Sequence, residues 1–196
     1  MRKRTTILLG AILAVLAVVA AGCGGSDSAD GEASPPSSSA PGAVPFDPAF
    51  IDGMVPHHEE AIVMAKEAKA AGLSEPELVE IADAIIAAQQ KEIDQMRRWR
   101  EDWFDSPEID PNGADTLGLS MDEMGMQHDA ADFSDAEDVD ATFATMMIDH
   151  HNGAIAMAEL ARTKGQHAEV RELADAIIEA QEREVATLRE HASVHH

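Results

Sequence analysis

Two long segments of the chain place apolar residues at the spacing of an α-helix. In both, aliphatic residues recur every three or four positions and charged residues fill the positions between them. This period predicts helices over residues 76–104 and 167–192, each with one apolar stripe. The stripes consist of Leu78, Ile81, Ala82, Ile85, Ile86, Ile93 and Met96 in the first segment and of Leu173, Ile177, Ile178, Val185 and Leu188 in the second.

Each of these segments follows another that is rich in alanine and methionine, for which we predict helices over residues 48–70 and 135–163. Residues typical of helix termini stand near the predicted ends: an aspartate–proline pair, two Ser-x-x-Glu capping boxes and two glycines. These are Asp47-Pro48, Ser74 to Glu77, Ser134 to Glu137, Gly72 and Gly165. No segment has a pattern that favours a strand.

The chain contains the same pattern twice. Residues 46–65 align with residues 139–158, and "IADAIIAAQQKEI" at 81–93 aligns with "LADAIIEAQEREV" at 173–185. The chain is therefore built from two copies of one helical hairpin. Because a single hairpin cannot bury its apolar face alone, the duplication predicts an all-α, antiparallel four-helix bundle.

The predicted bundle occupies residues 46–196. Its hairpins, 46–104 and 134–192, are joined by a methionine-containing connector, 105–133, which is long enough to cross the end or the side of the bundle. Residues 23–45, rich in glycine, serine and proline, predict a disordered tether before the bundle.

The first 22 residues have the pattern of a bacterial lipoprotein signal peptide. Basic residues precede an apolar run, Ile7 to Ala21, that is short for a membrane span. The run ends in "AAGC" at Cys23, the only cysteine, and this ending resembles a lipobox. We therefore expect residues 1–22 to be removed and Cys23 to carry a lipid that anchors an extracytoplasmic protein to the bacterial cell membrane. An ordinary signal peptide and a retained N-terminal anchor are the alternatives.

The composition excludes some partners. At a net charge of −23, the chain repels nucleic acid and anionic lipid surfaces and attracts cations. Removal of Arg2, Lys3 and Arg4 with the signal peptide would make the charge more negative. Because the chain has 4% aromatic residues and no tyrosine, its core must be built from alanine, isoleucine, leucine and methionine, which suits close-packed helices.

The first helix of each hairpin carries the motif Met-x-x-His-His-x-x-Ala-Ile-x-Met. On a helix, two side chains seven residues apart differ in direction by about 20°. Each motif therefore presents imidazole and thioether groups along one stripe, and in the first copy His57 and Met64 lie on the same side of the helix, two turns apart. The motif residues are Met54, His57, His58 and Met64 in the first copy and Met147, His150, His151 and Met157 in the second.

Thioether sulfur beside imidazole nitrogen is typical of a soft-metal site. Thioethers favour Cu(I) and, by extension, Ag(I), whereas imidazole suits copper and zinc generally. The chain lacks the His-Glu-x-x-His motif of zinc proteases and the Glu-x-x-His pairs of di-iron bundles. It also lacks a recognisable catalytic constellation, so we expect no enzyme; a metal-dependent oxidase or hydrolase is the weaker alternative, for which no general base is visible. The alternative for the motifs is structural: methionines that fill the core and histidines that only form hydrogen bonds.

The connector adds a second set of soft ligands in "MDEMGMQH". We interpret this segment as a flexible soft-metal loop; the alternative is a turn that packs its methionines on the bundle. The residues concerned are Met121, Met124, Met126 and His128.

Two further sets of polar residues have simpler interpretations. Gln89 and Gln181 recur within the apolar stripes, and we expect them at boundary positions with amides that reach solvent. The C-terminal histidines are expected to form a frayed, solvated tail, and whether they bind metal stays open. They are His191, His195 and His196.

Three segments, "FIDGMVPHHEEAIVMAK", "AIIAAQQKEIDQMRRW" and "FATMMIDHHNGAIAMAE", closely resemble the domain-of-unknown-function 305 family. The resemblance covers residues 46–192 and implies an exported, ferritin-like helical bundle. Because some relatives are linked to periplasmic copper binding and resistance, it implies metal binding at the two motifs. A further family pattern falls on Gln89, Glu92, Ile93, Met96 and Trp99, from which the second copy departs.

The sequence thus favours an extracytoplasmic, lipid-anchored protein that binds copper, Cu(I) before Ag(I) or Cu(II), for buffering, resistance or delivery. The alternative is a cell-envelope interaction or structural module in which the His-His motifs are structural. The metal ion is the expected partner, and the lipid anchor is the expected contact with the membrane. A homo-oligomer, a copper-handling protein partner, and one shared site or two separate sites are left open.

Overall fold

The computed structural model describes residues 45–126, 133 and 136–192. Within these residues the chain forms four α-helices and a short 3₁₀ helix, with no strand. The helices are α1 Phe46–Ala71, α2 Pro76–Phe104, the 3₁₀ helix Gly113–Leu117, α3 Val139–Lys164 and α4 Ala168–Ala192. The predicted all-α, four-helix fold is confirmed. The predicted signal peptide and most of the tether, together with Cys23, His128, His195 and His196, lie outside the described residues.

The helices pack as two hairpins that face each other. α1 packs on α2, α3 packs on α4, and α1 also contacts α3 and the 3₁₀ helix. With neighbours on several sides, α1 is buried around most of its circumference, whereas α2 and α4 bury one stripe and expose a charged face. Among the described helices, none is long and apolar enough to cross a membrane.

Two aspartates at matching positions of the repeats join the hairpins. Asp47, the second residue of α1, is fully buried and accepts hydrogen bonds of 2.8 Å from the backbone N–H groups of residues 166 and 167, just before α4. Asp140, the second residue of α3, accepts bonds of 2.8 and 3.0 Å from those of residues 74 and 75, just before α2. Each hairpin therefore caps the second helix of the other, and α1 and α3 run antiparallel.

These bonds explain why the predicted N-caps are wrong. Asp47 lies within α1 and does not cap it, and Ser74 makes no cap on α2. The Ser74 hydroxyl instead donates to Asp140 at 2.8 Å, across to the other hairpin. α3 begins later than predicted from Ser134, because Asp138 is its N-cap and accepts a hydrogen bond from the first turn.

The described part of the connector, residues 105–126, runs along the side of the bundle. The 3₁₀ helix packs on α1 at Gly53, where an added Cβ would lie 3.1 Å from Leu117. The chain then crosses α3 at Gly153, where an added Cβ would lie 1.9 Å from the carbonyl oxygen of Met124. Gly125 follows in a left-handed conformation, with φ of 66°. This close crossing brings the backbone of Met124 to the histidines.

Candidate metal centre

The histidines of the two motifs meet where α1 and α3 pack together. The rings of His57 and His150 lie with their centroids 3.7 Å apart and their planes inclined by 38°. His58 and His151 lie beside them, with centroids 6.4 and 6.5 Å from the preceding ring. All four residues are 0% exposed. We call these four residues the histidine layer.

The two outer histidines are each held by a carboxylate of their own hairpin. Nε2 of His58 lies 2.7 Å from Glu92 on α2, and Nε2 of His151 lies 2.7 Å from Glu184 on α4. The two glutamates occupy matching positions of the repeats. Their side chains are 21% exposed, so each carboxylate reaches from a buried ring to solvent.

The inner histidines differ from each other because the connector passes only one of them. Nε2 of His57 lies 2.9 Å from the carbonyl oxygen of Met124. A carbonyl can only accept, so Nε2 carries the proton and Nδ1 presents its lone pair. Both ring nitrogens of His150 are buried and neither makes a hydrogen bond of ordinary geometry, although the backbone of His57 lies close enough to favour the protonated ring.

The unpartnered ring nitrogens fit a metal site. Besides those of His150, Nδ1 of His57, His58 and His151 is buried without a partner. Leaving a buried polar group unpaired costs about 1–3 kcal/mol, and a metal bound to the lone pair would satisfy it. Carboxylates on the outer rings match the arrangement that orients metal-binding histidines.

In the described part of the chain, no group of three or more histidine, cysteine, aspartate or glutamate side chains has a geometry that could hold a metal ion. The methionines are the other possible metal ligands in the two motifs.

Burial keeps the inner histidines neutral. Desolvation of the ring, followed by repulsion from His58, lowers the pKa of His57 to about 3 despite the bond to the Met124 carbonyl. Burial, together with the neighbouring histidines, also lowers the pKa of His150 well below its ordinary value. Neutral imidazole is the form that binds metals.

The four motif methionines are fully buried on both sides of the histidine layer. Met54 and Met157 belong to one apolar cluster, and Met64 and Met147 belong to another. Because α1 and α3 are antiparallel, each cluster receives one methionine from each motif. The stripe predicted on a single helix is therefore matched by a second stripe running the opposite way.

The connector methionines are placed differently from one another. The Met124 side chain is 3% exposed and packs in the apolar cluster of Met54, as the packing alternative predicts. Met121 is 55% exposed and Met126 is half-buried. His191, predicted in a solvated tail, instead lies in α4 with Nε2 3.0 Å from Glu77.

The prediction for Gln89 and Gln181 is wrong. The two residues are 4% and 3% exposed, and the Oε1 atom of each is buried without a hydrogen-bond partner. They line a cavity of about 20 Å³ between α2 and α4, together with Glu92 and Glu184. The available signal was the glutamine–glutamate pair, three residues apart, that recurs in both copies.

The chain matches the family described as domain of unknown function (DUF305) over residues 47–192. It belongs to the DUF305 family. The resemblance seen in the motifs is thus confirmed. A comparison of this DUF305 chain with the curated proteins finds no match.

Solved structures of similar chains include CopM in the Cu(I)-bound form, 33% identical with a TM-score of 0.62; the match covers 74% of this chain and 93% of CopM. CopM also has an Ag-bound and a Cu(II)-bound form, with TM-scores of 0.60 and identities of 31% and 30%. A DUF305 fragment from Deinococcus radiodurans is 26% identical with a TM-score of 0.59, covering 76% of this chain and 97% of the fragment. A DUF305 protein from Streptomyces coelicolor shares the fold, with a TM-score of 0.67 and 21% identity. The match covers 74% of this chain and 91% of that chain.

Proposed function

We propose that this DUF305 protein binds copper at the histidine layer, as Cu(I), and buffers or delivers it outside the cytoplasm. The observation that carries the proposal is the contact between His57 and His150, in which Nδ1 of His57 and both ring nitrogens of His150 are buried without an ordinary hydrogen bond. The copper- and silver-bound forms of CopM support it.

The proposed ligands are the ring nitrogens that form no hydrogen bond and the sulfur atoms of the motif methionines. Nδ1 of His57 and either nitrogen of His150 would supply the inner nitrogen ligands. The methionine pairs on the two sides of the layer would supply thioether sulfur, which has no proton to lose and favours Cu(I) and Ag(I). His58 and His151 would contribute Nδ1, with their rings oriented by Glu92 and Glu184.

The proposed role needs no catalysis. Soft ligands in a buried site would hold Cu(I) away from water and from redox cycling. A lipid on Cys23 would keep the site at the outer side of the cell membrane, and the net charge of −23 would attract cations to it. Delivery would require a protein that accepts the metal; buffering would not.

An anaerobic Cu(I) titration of the purified protein against a chromophoric competing chelator tests this function. The wild type is compared with a His57→Gln/His150→Gln variant and with a His191→Gln control, which changes a histidine outside the layer. We expect the double variant to lose at least about tenfold in affinity, or 1.4 kcal/mol, while the control keeps it. Equal affinity in all three proteins would overturn the proposal, and circular dichroism verifies that each variant is folded.

One observation favours a second function. The His58–Glu92 and His151–Glu184 pairs would hold the two helices of each hairpin in register without any metal, as a structural layer in a cell-envelope module. In that case the wild type would bind Cu(I) no more tightly than the double variant. The histidine substitutions would instead lower the free energy of unfolding in the absence of metal.

A further inference from the structure

A metal that binds the histidine layer must pass through the packed bundle. All four histidines are 0% exposed, and so are the four motif methionines. Met124 covers His57 on the connector side, because the Met124 carbonyl oxygen accepts a hydrogen bond from the His57 ring and the Met124 side chain is buried. A cation therefore needs a path from another side.

The small cavity between α2 and α4 has the features of such a path. Its lining combines four aliphatic residues, which form most of its surface, with four residues that bear side-chain oxygen atoms, and we call it the oxygen-lined gap after the latter: Gln89, Glu92, Gln181 and Glu184. Its volume of about 20 Å³ is sufficient for one water molecule. The Oε1 atoms of both glutamines are buried with no donor in the protein. A buried acceptor without a donor costs free energy, which a water or a cation in the gap would recover.

The two glutamates of the gap also contact the histidine layer. Glu92 is 21% exposed, yet its carboxylate lies 2.7 Å from the fully buried ring of His58. Glu184 repeats this arrangement with His151. Two carboxylates thus extend from the surface to the histidine layer on the side where α2 meets α4.

We infer that the oxygen-lined gap is the route by which a cation enters and leaves the histidine layer, with the carbonyl oxygens of Gln89 and Gln181 as transient ligands. This route presupposes the copper binding proposed above and adds its point of entry. Carboxylate and amide oxygens are hard ligands that hold Cu(I) weakly. Such ligands offer a moving ion a low-energy position without trapping it before it reaches nitrogen and sulfur.

A Gln89→Leu/Gln181→Leu variant tests the route, because leucine removes both carbonyl oxygens and fills the gap. Gln90→Leu is the matched control, since Gln90 is exposed on the same helix. Each protein is loaded anaerobically with Cu(I) and mixed in a stopped-flow instrument with excess chromophoric chelator, and the release rate is recorded. Affinities are measured separately at equilibrium.

We expect the double variant to release Cu(I) at least about tenfold more slowly, a barrier higher by about 1.4 kcal/mol. Its equilibrium affinity should stay that of the wild type, because a blocked path slows entry and exit alike. The Gln90→Leu control should show wild-type rates. Should the leucines disturb folding, an Ala88→Leu/Ala180→Leu variant narrows the same gap and keeps both glutamines; slower release is again expected.

Two results would overturn the route. Unchanged release rates in both gap variants would show that the ion passes elsewhere. Faster release with weaker affinity in the glutamine variant would show that Gln89 and Gln181 are ligands of the bound metal. A failure of copper binding itself is distinguishable, since the wild type would then release no Cu(I) above the amount of the His57→Gln/His150→Gln variant.

Discussion

His57 and His150 belong to different hairpins, yet their ring centroids are 3.7 Å apart, closer than either ring is to the histidine that follows it in sequence. The inner histidine of each pair faces the other hairpin. The outer histidine, His58 or His151, faces a carboxylate of its own hairpin. In each pair, the inner histidine therefore forms the contact between the repeats, and the outer histidine binds a carboxylate within its own repeat.

Burial of the inner histidines predicts that the metal-free protein loses stability in mild acid. The pKa of His57 is about 3 in the folded chain and about 6.5 in the unfolded chain. Between these values the unfolded chain binds more protons, so the free energy of unfolding falls as the pH drops below 6.5. The slope reaches at most about 1.4 kcal/mol per pH unit for each such ring. His150, with its lowered pKa, adds to it.

Urea unfolding at pH 7.5, 6.0 and 5.0 measures this slope. A His57→Gln/His150→Gln variant carries no titrating inner ring and should show a flatter dependence over the same range. Identical slopes in both proteins would contradict the prediction.

The methionine pairs predict a loss of Cu(I) affinity without a loss of fold. Leucine replaces methionine in a core at a cost usually below about 1.5 kcal/mol, but it removes the sulfur. A Met54→Leu/Met157→Leu or a Met64→Leu/Met147→Leu variant should therefore fold and bind Cu(I) at least about tenfold more weakly.

Met146→Leu, next to a motif methionine but outside the motif, is the control and should keep wild-type affinity. If both pairs can be replaced without weakening Cu(I) binding, the methionines serve the core alone.

The connector crossing predicts that α3 tolerates no side chain at Gly153. A Cβ there would lie 1.9 Å from the Met124 carbonyl oxygen, so Gly153→Ala must push the connector away. We expect the free energy of unfolding to fall by about 1–3 kcal/mol. Hydrogen exchange should also become faster at residues 124–126.

Asn152→Ala, an exposed change one residue earlier, should have little effect on either measurement. A Gly153→Ala protein with wild-type stability and wild-type exchange would show that the connector does not pack closely on α3 at this position.

The reciprocal caps predict destabilisation from two aspartates far apart in the chain. Asp47→Asn and Asp140→Asn keep the size of the side chain but lose the charge that strengthens its bonds to helix N-termini. Each should lower the free energy of unfolding by about 0.5–2 kcal/mol, the range for lost caps. Asp47→Asn should cost more, because Asp47 is fully buried.

Chemical denaturation of each variant checks these values. Asp175→Asn, on the exposed face of α4, is the matched control and should leave the stability unchanged. An Asp47→Asn protein as stable as this control would show that the cap contributes nothing.

The helices and the motif residues were predictable because their signals are local. Apolar spacing marks the helices, and self-alignment places His57 and His150 at matching positions whatever the docking of the hairpins. The partners that the hairpins exchange were not predictable in this way. A local rule places Asp47 at the start of its own helix, because it takes no account of residue 167, which is distant in sequence. The same kind of rule places Gln89 at a boundary, because the burial of Gln89 depends on the packing of α4 near α2.

The reciprocal caps also have a consequence for the origin of the chain. A free hairpin of this kind would exchange the same two caps with a second copy of itself and form a closed, two-fold symmetric dimer. The present chain then corresponds to such a dimer fused into one polypeptide. The fusion breaks the symmetry where the connector crosses, so the second repeat has Gly153 where the first has Glu60. Divergence at that position reflects the passage of the connector and not a change in the chemistry of the second motif.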